Sequence, residues 1–198
     1  MRYKDAMTAA GPNEVASPVV FLCTGNRARS PLAEMLFRRA HTEPGGPATS
    51  FGTLDVGPLP ALPEAIEAGR LLGVDLSAHR ARALRSGSLR SSSLVLGFEP
   101  FHVSTAVVDG GSDPGRTFLL RELVMLLEAP ERSREPQSVD EAIADADRRR
   151  MRTRPDPAAS IPDPLGQPNG VMLRTAREIE ELVTRLVAGL VGTGSQST

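Results

Sequence analysis

The residues of this chain with the clearest chemical potential lie together near its N-terminal end. Cys23, the only cysteine among 198 residues, ends an apolar run and begins a short polar loop that closes with Arg29, Ser30 and Pro31. Consecutive loop amides and a helix N-terminus form an anion site, to which the Arg29 guanidinium can add a bidentate fork. Such a positive environment is expected to hold Cys23 as the nucleophilic thiolate. The stretch therefore predicts nucleophilic attack on a bound phosphate group.

Local signals place this loop between a strand and a helix. The apolar run at 18–23 lacks alternation, which is typical of a central parallel strand that is buried on both faces. Pro31 suits the first helical position, so Ser30 is the expected N-cap. Asn26 accepts a positive φ angle at modest cost, as a tight anion loop requires. The alternative interpretation of Cys23 is a buried cysteine at the end of a core strand.

The order Cys, five residues, Arg, Ser resembles the loop of the low-molecular-weight protein tyrosine phosphatases, which runs C-x-G-N-x-C-R-S-P. Gly25, Asn26 and the Arg-Ser-Pro end match this pattern, whereas Ala28 stands at the place of its second cysteine. The resemblance implies that Ser30 hydrogen-bonds the sulfur. It also implies that the phosphate is bound by the loop residues Thr24, Gly25, Asn26, Arg27, Ala28 and Ser30.

The leaving oxygen of a phosphate ester needs a proton donor that reaches the loop from elsewhere in the chain. In the family that this sequence resembles, the donor is the Asp of an Asp-Pro pair shortly before the C-terminal helix. The chain has three such pairs, which begin at Asp113, Asp156 and Asp163. Asp163 is favoured because an apolar residue and a proline precede it, Leu-Gly follows, and the last helix begins at once. Asp156 is the second candidate.

The resemblance implies a two-step reaction that needs no cofactor. Cys23 attacks phosphorus while Asp163 protonates the leaving oxygen, and Asp163 then activates water to hydrolyse the cysteinyl phosphate. Arg29 and the loop amides hold the equatorial oxygens throughout. No metal is expected, because the sequence shows no metal-ligand spacing.

The resemblance also implies three supports for Asn26. In the family this asparagine is hydrogen-bonded to the loop serine, to a serine of the second strand and to a histidine in the connector after the second helix. The matching positions are Ser30, Ser50 and His79. They are expected to keep the loop in its anion-binding shape. The alternative for His79 is an ordinary surface imidazole.

The family's aromatic pocket walls are not matched in this chain. The two places after the catalytic Asp-Pro pair read Leu165 and Gly166, and a third place falls near Leu54. Stacking on a phenyl ring is therefore expected to be weaker, which leaves the preferred substrate open. Arg27 occupies the variable place after Gly-Asn and is expected at the pocket rim.

Short apolar strands alternate with helical periods along the chain. Strands are predicted at about 18–23, 48–53, 92–98 and 117–120, with helices after each of them. The last helix carries an apolar stripe in steps of four and three, formed by Met172, Ala176, Ile179, Val183, Leu186 and Leu190. The pattern predicts an α/β fold, a three-layer sandwich with a central four-stranded parallel sheet, helices on both faces and the phosphate-binding loop between the first strand and the first helix.

The composition predicts one domain with two tails. Residues 1–17 and 192–198 are expected to be flexible, and 18–191 to form a single domain. A charged, Pro-rich stretch at about 129–159 is expected to be an exposed insertion that contains a polar helix from Ser138 to about Arg152, with few core positions, Ile143 and Ala146. Its end is expected to be either a solvated face or a docking site for acidic substrate segments, formed by Arg148, Arg149, Arg150, Arg152 and Arg154.

Overall composition limits the setting and the partners. The net charge is −1 and no apolar run approaches the length of a membrane span, so neither nucleic-acid binding nor membrane insertion is expected. A single cysteine excludes an intrachain disulfide and is typical of a reducing, cytoplasmic setting.

These observations predict a phosphate monoester hydrolase. The resemblance implies a protein-tyrosine phosphatase whose partners are phosphorylated proteins or small phosphate monoesters, with inorganic phosphate as the product. Two alternatives remain open. One is an arsenate reductase that uses an external small thiol, and the other is a phosphate-binding module without activity.

Overall fold

The computed structural model describes residues 19–40, 48–130, 138–150, 156–168 and 170–191. The two predicted tails, as well as Arg152 and Arg154 at the end of the charged stretch, lie outside the described residues.

A parallel sheet of four strands forms the centre of the described structure. The strands are β1 (Val19–Cys23), β2 (Ala48–Gly52), β3 (Leu94–Gly97) and β4 (Thr117–Leu119), and their order across the sheet is β2-β1-β3-β4. Every strand residue is buried, because helices cover both faces of the sheet. The predicted α/β fold with a four-stranded parallel sheet is confirmed.

The helices of the described residues follow the predicted alternation with the strands. They are α1 (Arg29–Ala40), α2 (Pro63–Leu71), α3 (Pro100–Val108), α4 (Leu120–Glu128), α5 (Val139–Arg150) and α6 (Val171–Val191). Short 3-10 turns occupy Pro114–Arg116 and Pro157–Ala159. None of the helices in the described ranges combines the length and the apolar character needed to cross a lipid bilayer.

The two faces of the sheet pack into two separate cores. Val19 and Phe21 of β1 belong to the larger core, which the apolar stripe of α6 also enters, whereas Val20 and Leu22 face the smaller core with Ala106 of α3. All six predicted stripe positions of α6 are buried, which confirms that prediction. Continuous burial on both sides explains why β1 shows no polar alternation.

The loop between β1 and α1 lies where the strand order reverses. The chain passes from β1 to β2 on one side and then crosses to β3 on the other side of β1. In open parallel sheets, ligands bind in the crevice at such a switch point, outside the carboxyl ends of the strands. Cys23 ends β1, and Glu99 follows β3 closely at the same edge. The fold therefore places both segments beside one crevice.

The predicted N-cap at Ser30 is wrong. The Leu32 amide donates to the Ala28 carbonyl at 3.1 Å, so helical hydrogen bonding begins at Ala28 and Ser30 already lies in the first turn. The side chain of Ser30 is consequently free to turn towards the preceding strand rather than cap the helix.

The helix of the charged stretch is buried along one face. Helix α5 packs Ile143 and Ala146, the two core positions that the sequence predicts, into the larger core together with Ala142, which was not predicted. Arg149 pairs with Asp145, and the Arg150 guanidinium lies 4.1 Å from the ring centroid of Phe118. Alanine and isoleucine at helical spacing were sufficient for packing despite the charged composition.

The docking hypothesis for the arginine cluster is therefore not supported at two of its members. Arg149 and Arg150 use their guanidiniums within the fold, through Asp145, Asp147 and the carbonyl oxygen of Thr117. Arg148 is largely exposed, and its side chain pairs with Asp145 on the same helix.

Candidate active site

The loop of residues 24–28 is held between two strand ends. The Thr53 amide donates to the Cys23 carbonyl and the Leu54 amide to the Thr24 carbonyl, each at 2.9 Å, so the segment after β2 continues alongside the loop. A Cβ atom at Gly52 would lie 2.8 Å from the Thr24 carbonyl oxygen. The approach of the two segments therefore requires glycine at this position.

Asn26 sits at the centre of the loop with a φ angle of 52°, the one positive value for a non-glycine residue in the described ranges. Its side-chain nitrogen donates to Ser30 Oγ at 2.9 Å and to Ser50 Oγ at 2.8 Å. Its side-chain oxygen accepts from the Arg82 amide at 2.9 Å. These bonds compensate for the uncommon backbone conformation, because every polar atom of the buried amide has a partner.

His79 reaches the same residue through the backbone. Its Nε2 donates to the Asn26 carbonyl at 2.7 Å, since a carbonyl can only accept. Burial lowers the pKa of His79, while the hydrogen bond to Asn26 opposes that shift. The structure thus brings Ser30, Ser50 and His79 around Asn26, with His79 bound to the main chain and not to the amide side chain. The Arg82 amide is a fourth contact that the sequence did not predict.

The direction of the hydrogen bond to the sulfur follows from this network. Ser30 Oγ accepts from Asn26, and its single hydrogen can go to Cys23 Sγ at 3.0 Å or to the Phe51 carbonyl at 3.4 Å. A thiolate can only accept, so in that state Ser30 donates to the sulfur across the shorter contact. The thiolate form of Cys23 therefore has a hydrogen-bond donor within reach.

Glu34 ends the same network and was not predicted. It accepts from Ser50 Oγ at 2.6 Å and pairs with Arg38 at 2.9 Å, although its side chain is almost fully buried. The sequence could have indicated this role for Glu34. It lies four residues after Ser30, and positions i and i+4 of a helix share one face, so Glu34 is expected on the same side of α1 as Ser30.

Arg29 is the most enclosed charged residue of the site, with a side chain that is 1% exposed. Its Nη1 donates to Glu99 at 2.6 Å and to the Ile161 carbonyl at 2.9 Å. Its Nη2 donates to Asp163 at 2.7 Å, with Thr24 Oγ1 further away at 3.4 Å. Two carboxylates thus neutralise a buried cation that would otherwise be costly to desolvate.

Asp163 is the Asp-Pro residue that the structure brings to the loop. Its second carboxylate oxygen accepts from the Leu165 amide at 3.1 Å, and its side chain is 40% exposed. The Ile161 amide donates to the Phe98 carbonyl at 2.7 Å, which attaches this segment to the end of β3. Asp163 therefore lies on the solvent side of Arg29, where a substrate can reach it.

The other two Asp-Pro pairs serve turns. Asp113 accepts from the Gly115 amide and Asp156 from the Ala158 amide, each at 2.8 Å, so both cap 3-10 turns. Asp113 also precedes β4, at the sheet edge opposite to the loop.

His102 is a fully buried residue of the site that was not predicted. Its Nδ1 accepts from the amides of Phe98 at 3.3 Å and Glu99 at 3.0 Å. In the neutral ring the proton is therefore on Nε2, which donates to Thr24 Oγ1 at 3.1 Å. Burial, with a further contribution from the Arg29 charge, lowers the pKa of His102 to about 4.

Acid is expected to destabilise the fold through His102. Its pKa is lower in the folded chain than in the unfolded chain, so its contribution is present above about pH 6.5 and is lost as the pH falls towards 4. Between pH 7.5 and 4.5 we expect a loss of about 2–3 kcal/mol from this residue. Urea unfolding of the wild type and of His102→Gln at both pH values measures it. An equally steep pH dependence in the variant contradicts the assignment.

Among the described residues, two exposed leucines and Arg27 lie beside the segments that form the crevice. Leu54 and Leu165 are both exposed, at places where aromatic walls were considered from the sequence. Arg27 donates from Nε to the Pro60 carbonyl at 2.8 Å, and the Leu62 amide donates to the Arg27 carbonyl at the same distance. The segment before α2 thus holds Arg27 at the edge of the loop.

Comparison with known proteins agrees with this geometry. Residues 18–135 match the sequence model of the family described as low molecular weight phosphotyrosine protein phosphatase. The phosphatase Etp of Escherichia coli K12 is 29% identical over 125 residues, which are 63% of this chain and 83% of Etp. The probable phosphatase EpsP of Ralstonia solanacearum is 36% identical over 78 residues, 39% of this chain and 52% of EpsP.

Solved structures are similar over most of the chain. A low molecular weight protein tyrosine phosphatase from T. tengcongensis is 28% identical with a TM-score of 0.65, covering 88% of this chain and 99% of that protein. A YwlE mutant from Bacillus subtilis is 26% identical with a TM-score of 0.64, covering 88% and 98% respectively. With more than half of its length matched by the family and the loop residues in place, the chain belongs to the low molecular weight phosphotyrosine protein phosphatases.

Proposed function

We propose that this chain hydrolyses phosphate monoesters through a cysteinyl phosphate formed on Cys23. The family is one of enzymes that act on phosphorylated substrates. The observation that carries the proposal is the environment of the sulfur, where Ser30 Oγ lies 3.0 Å from Cys23 Sγ and the Arg29–Asp163 pair lies at the same sheet edge. A nucleophile, an anion clamp and a carboxylate are thus available within one crevice.

The loop and Arg29 supply the phosphate site in this proposal. The loop connects a buried strand to a helix N-terminus, and the amides of residues 24–29 stabilise negative charge as preorganised dipoles. A phosphoryl oxygen takes the place of the Asp163 carboxylate on Arg29 Nη2. Asp163 is thereby released from the cation, takes up a proton from solvent to become the carboxylic acid, and turns towards the leaving oxygen.

In the first step the Cys23 thiolate forms a bond to phosphorus while the bond from phosphorus to the leaving oxygen breaks. The leaving oxygen keeps the electron pair of that bond and takes a proton from Asp163. Ser30 stabilises the sulfur before the attack and again when the sulfur departs.

In the second step water hydrolyses the intermediate. The Asp163 carboxylate takes a proton from water, the water oxygen bonds to phosphorus, and the phosphorus–sulfur bond breaks to return the thiolate and release inorganic phosphate. A solved structure 26% identical to this chain, with a TM-score of 0.63, is described as an arginine phosphatase in which serine replaces cysteine and the active-site serine is phosphorylated. A phosphorylated residue in that site supports a covalent intermediate here.

Phosphotyrosine on proteins is the proposed substrate class. The curated relatives Etp and EpsP are both named as protein-tyrosine phosphatases. The exposed leucines at the rim, Leu54 and Leu165, offer apolar surface to an aryl group without an aromatic stack.

Hydrolysis of p-nitrophenyl phosphate by the purified chain tests the proposed function. Turnover separates an enzyme from a phosphate-binding module, and no turnover above background contradicts the proposal. A parallel screen with phosphotyrosine peptide, phosphoarginine peptide and arsenate plus glutathione compares the substrate classes. The phosphotyrosine peptide is expected to give the highest kcat/KM.

Arg27 is expected to tune the choice of substrate. Its Nε is tied to Pro60, so its positive charge stays at the rim. It should favour acidic residues beside the phosphotyrosine and disfavour phosphoarginine through repulsion of like charges. In Arg27→Ala the preference for acidic over basic phosphopeptides should fall about two- to fivefold, the range of an exposed ion pair.

The control for this prediction is Arg70→Ala. Arg70 is also exposed, but it lies on α2 and pairs with Glu67. The ratio of kcat/KM between acidic and basic phosphopeptides should not change in this control. An unchanged ratio in Arg27→Ala would show that the Arg27 side chain is only solvated.

A further inference from the structure

The guanidinium of Arg29 has two edges with different surroundings. Nη1 is saturated by Glu99 and the Ile161 carbonyl. Nη2 carries Asp163 and a long contact to Thr24, and Nε has no hydrogen-bond partner among the described residues. The edge formed by Nε and Nη2 is therefore the one that can donate to two phosphoryl oxygens. Nη1 remains bound to the protein, through Glu99 and the Ile161 carbonyl.

The two carboxylates that pair with Arg29 have different roles in the proposed reaction. Asp163 must leave the guanidinium to exchange a proton with the leaving oxygen in the proposed function. Glu99 exchanges no proton in the proposed reaction, so it can stay hydrogen-bonded to Nη1 throughout. A carboxylate close to a phosphate dianion costs repulsion, so its benefit there has to come from geometry and not from affinity for the anion.

We infer that Glu99 is a positioning residue of the proposed reaction, which holds Arg29 through Nη1 so that the Nε–Nη2 edge faces the phosphate. This inference rests on the proposed function and adds to it a residue outside the loop and outside the Asp163 segment. Glu99 acts on the guanidinium alone and makes no contact with the reacting atoms.

The turn that carries Glu99 is held by hydrogen bonds and close packing. The Glu99 amide donates to His102 Nδ1 at 3.0 Å, and His102 Nε2 donates to Thr24 of the loop at 3.1 Å. A Cβ atom at Gly97 would lie 2.9 Å from the His102 Cβ, so the absence of a side chain at Gly97 allows this close packing. The neutral imidazole links the β3–α3 junction to the loop, and it sets the place from which Glu99 reaches Arg29.

Three substitutions separate geometry from charge at this position. Glu99→Gln keeps an acceptor at the same reach and removes the charge. Glu99→Asp keeps the charge and shortens the reach by one methylene. Glu99→Ala removes both. A displaced catalytic group costs rate steeply, so kcat should fall roughly 10-fold in Glu99→Asp and roughly 10- to 100-fold in Glu99→Ala, while Glu99→Gln stays within about threefold of the wild type.

Inhibition constants for two anions distinguish a positioning role of Glu99 from a purely structural one, which would leave both constants unchanged. Inhibition by orthovanadate, which resembles the five-coordinate transition state, should weaken in Glu99→Ala by about the same factor as kcat/KM. Inhibition by inorganic phosphate should weaken less, because the ground state tolerates a misplaced fork. Glu128→Ala, which removes another partly exposed glutamate paired with an arginine, Arg185, is the matched control and should change neither constant.

The outcomes distinguish this inference from the proposed function. Absence of wild-type turnover contradicts the proposed function. An active wild type with an unaffected Glu99→Ala contradicts the inference alone. A Glu99→Gln variant as impaired as Glu99→Ala also overturns it, because the acceptor is retained, and so does a fully active Glu99→Asp. If Glu99→Ala does not fold, the comparison of the Gln and Asp variants decides the question.

Discussion

Cys23→Ser is expected to abolish turnover, by roughly 10⁴-fold or more, while binding of inorganic phosphate is kept. The phosphate site consists of loop amides and Arg29, none of which changes in this variant. The nucleophile is one sulfur atom, held by Ser30 at 3.0 Å. A serine hydroxyl in its place has no base within the network, because its neighbour there is the Ser30 hydroxyl, which in turn accepts from the Asn26 amide.

The measurement combines activity on p-nitrophenyl phosphate with calorimetric titration of inorganic phosphate. Retained binding shows that the variant is folded and that the loop keeps its shape. Cys23→Ala is the matched control, because it removes the hydroxyl as well. More than a trace of activity in Cys23→Ser would show that the covalent mechanism is wrong.

Asp163→Asn is expected to lower turnover of aryl phosphates by about 10²–10⁴, the usual contribution of a general acid. Asparagine keeps the side-chain oxygen that accepts from the Leu165 amide, so the turn should be preserved. It has no proton to give to the leaving oxygen. The loss should shrink for esters with good leaving groups, because these depart with less protonation.

A series of aryl phosphates with leaving groups of graded acidity checks this prediction. Asp156→Asn is the control, since Asp156 caps the 3-10 turn Pro157–Ala159 and its replacement should have little effect on kcat. Equal losses across the series would argue against the role of Asp163. A silent Asp163→Asn together with an inactive Asp156→Asn would transfer the role to Asp156.

The sequence was sufficient where the relevant residues lie within one strand, one loop and one helix. Cys23 and Arg29 are six positions apart, and chain connectivity alone brings them to one end of β1. Asn26 adopts a positive φ angle of 52°, as its residue type and the tight loop suggested. The stripe of α6 also followed from spacing, because helical periodicity alone decides which residues share a face.

Local sequence patterns gave an incorrect or incomplete prediction for two features that depend on contacts with distant segments. Ser30 reads as an N-cap beside Pro31, yet the carbonyl of Ala28 begins the helix and the hydroxyl turns to the sulfur. The charged stretch reads as an exposed insertion with only Ile143 and Ala146 as core positions, yet Ala142 is buried as well and the ends of Arg149 and Arg150 pack within the fold. In both cases a tertiary contact outweighs a weak local preference.

The partners of Arg29 were decided only by the tertiary structure. Glu99 lies 70 residues after it and Asp163 lies 134 residues after it. The sequence favoured Asp163 among the three Asp-Pro pairs but held no signal for Glu99, and both contacts depend on β3 lying next to β1 and on the Ile161 amide pairing with the end of β3. The sequence determined which groups could perform the chemistry. Only the tertiary structure placed the favoured Asp163 on the guanidinium and decided which carboxylate holds its other end, since those contacts arise from the packing of distant segments.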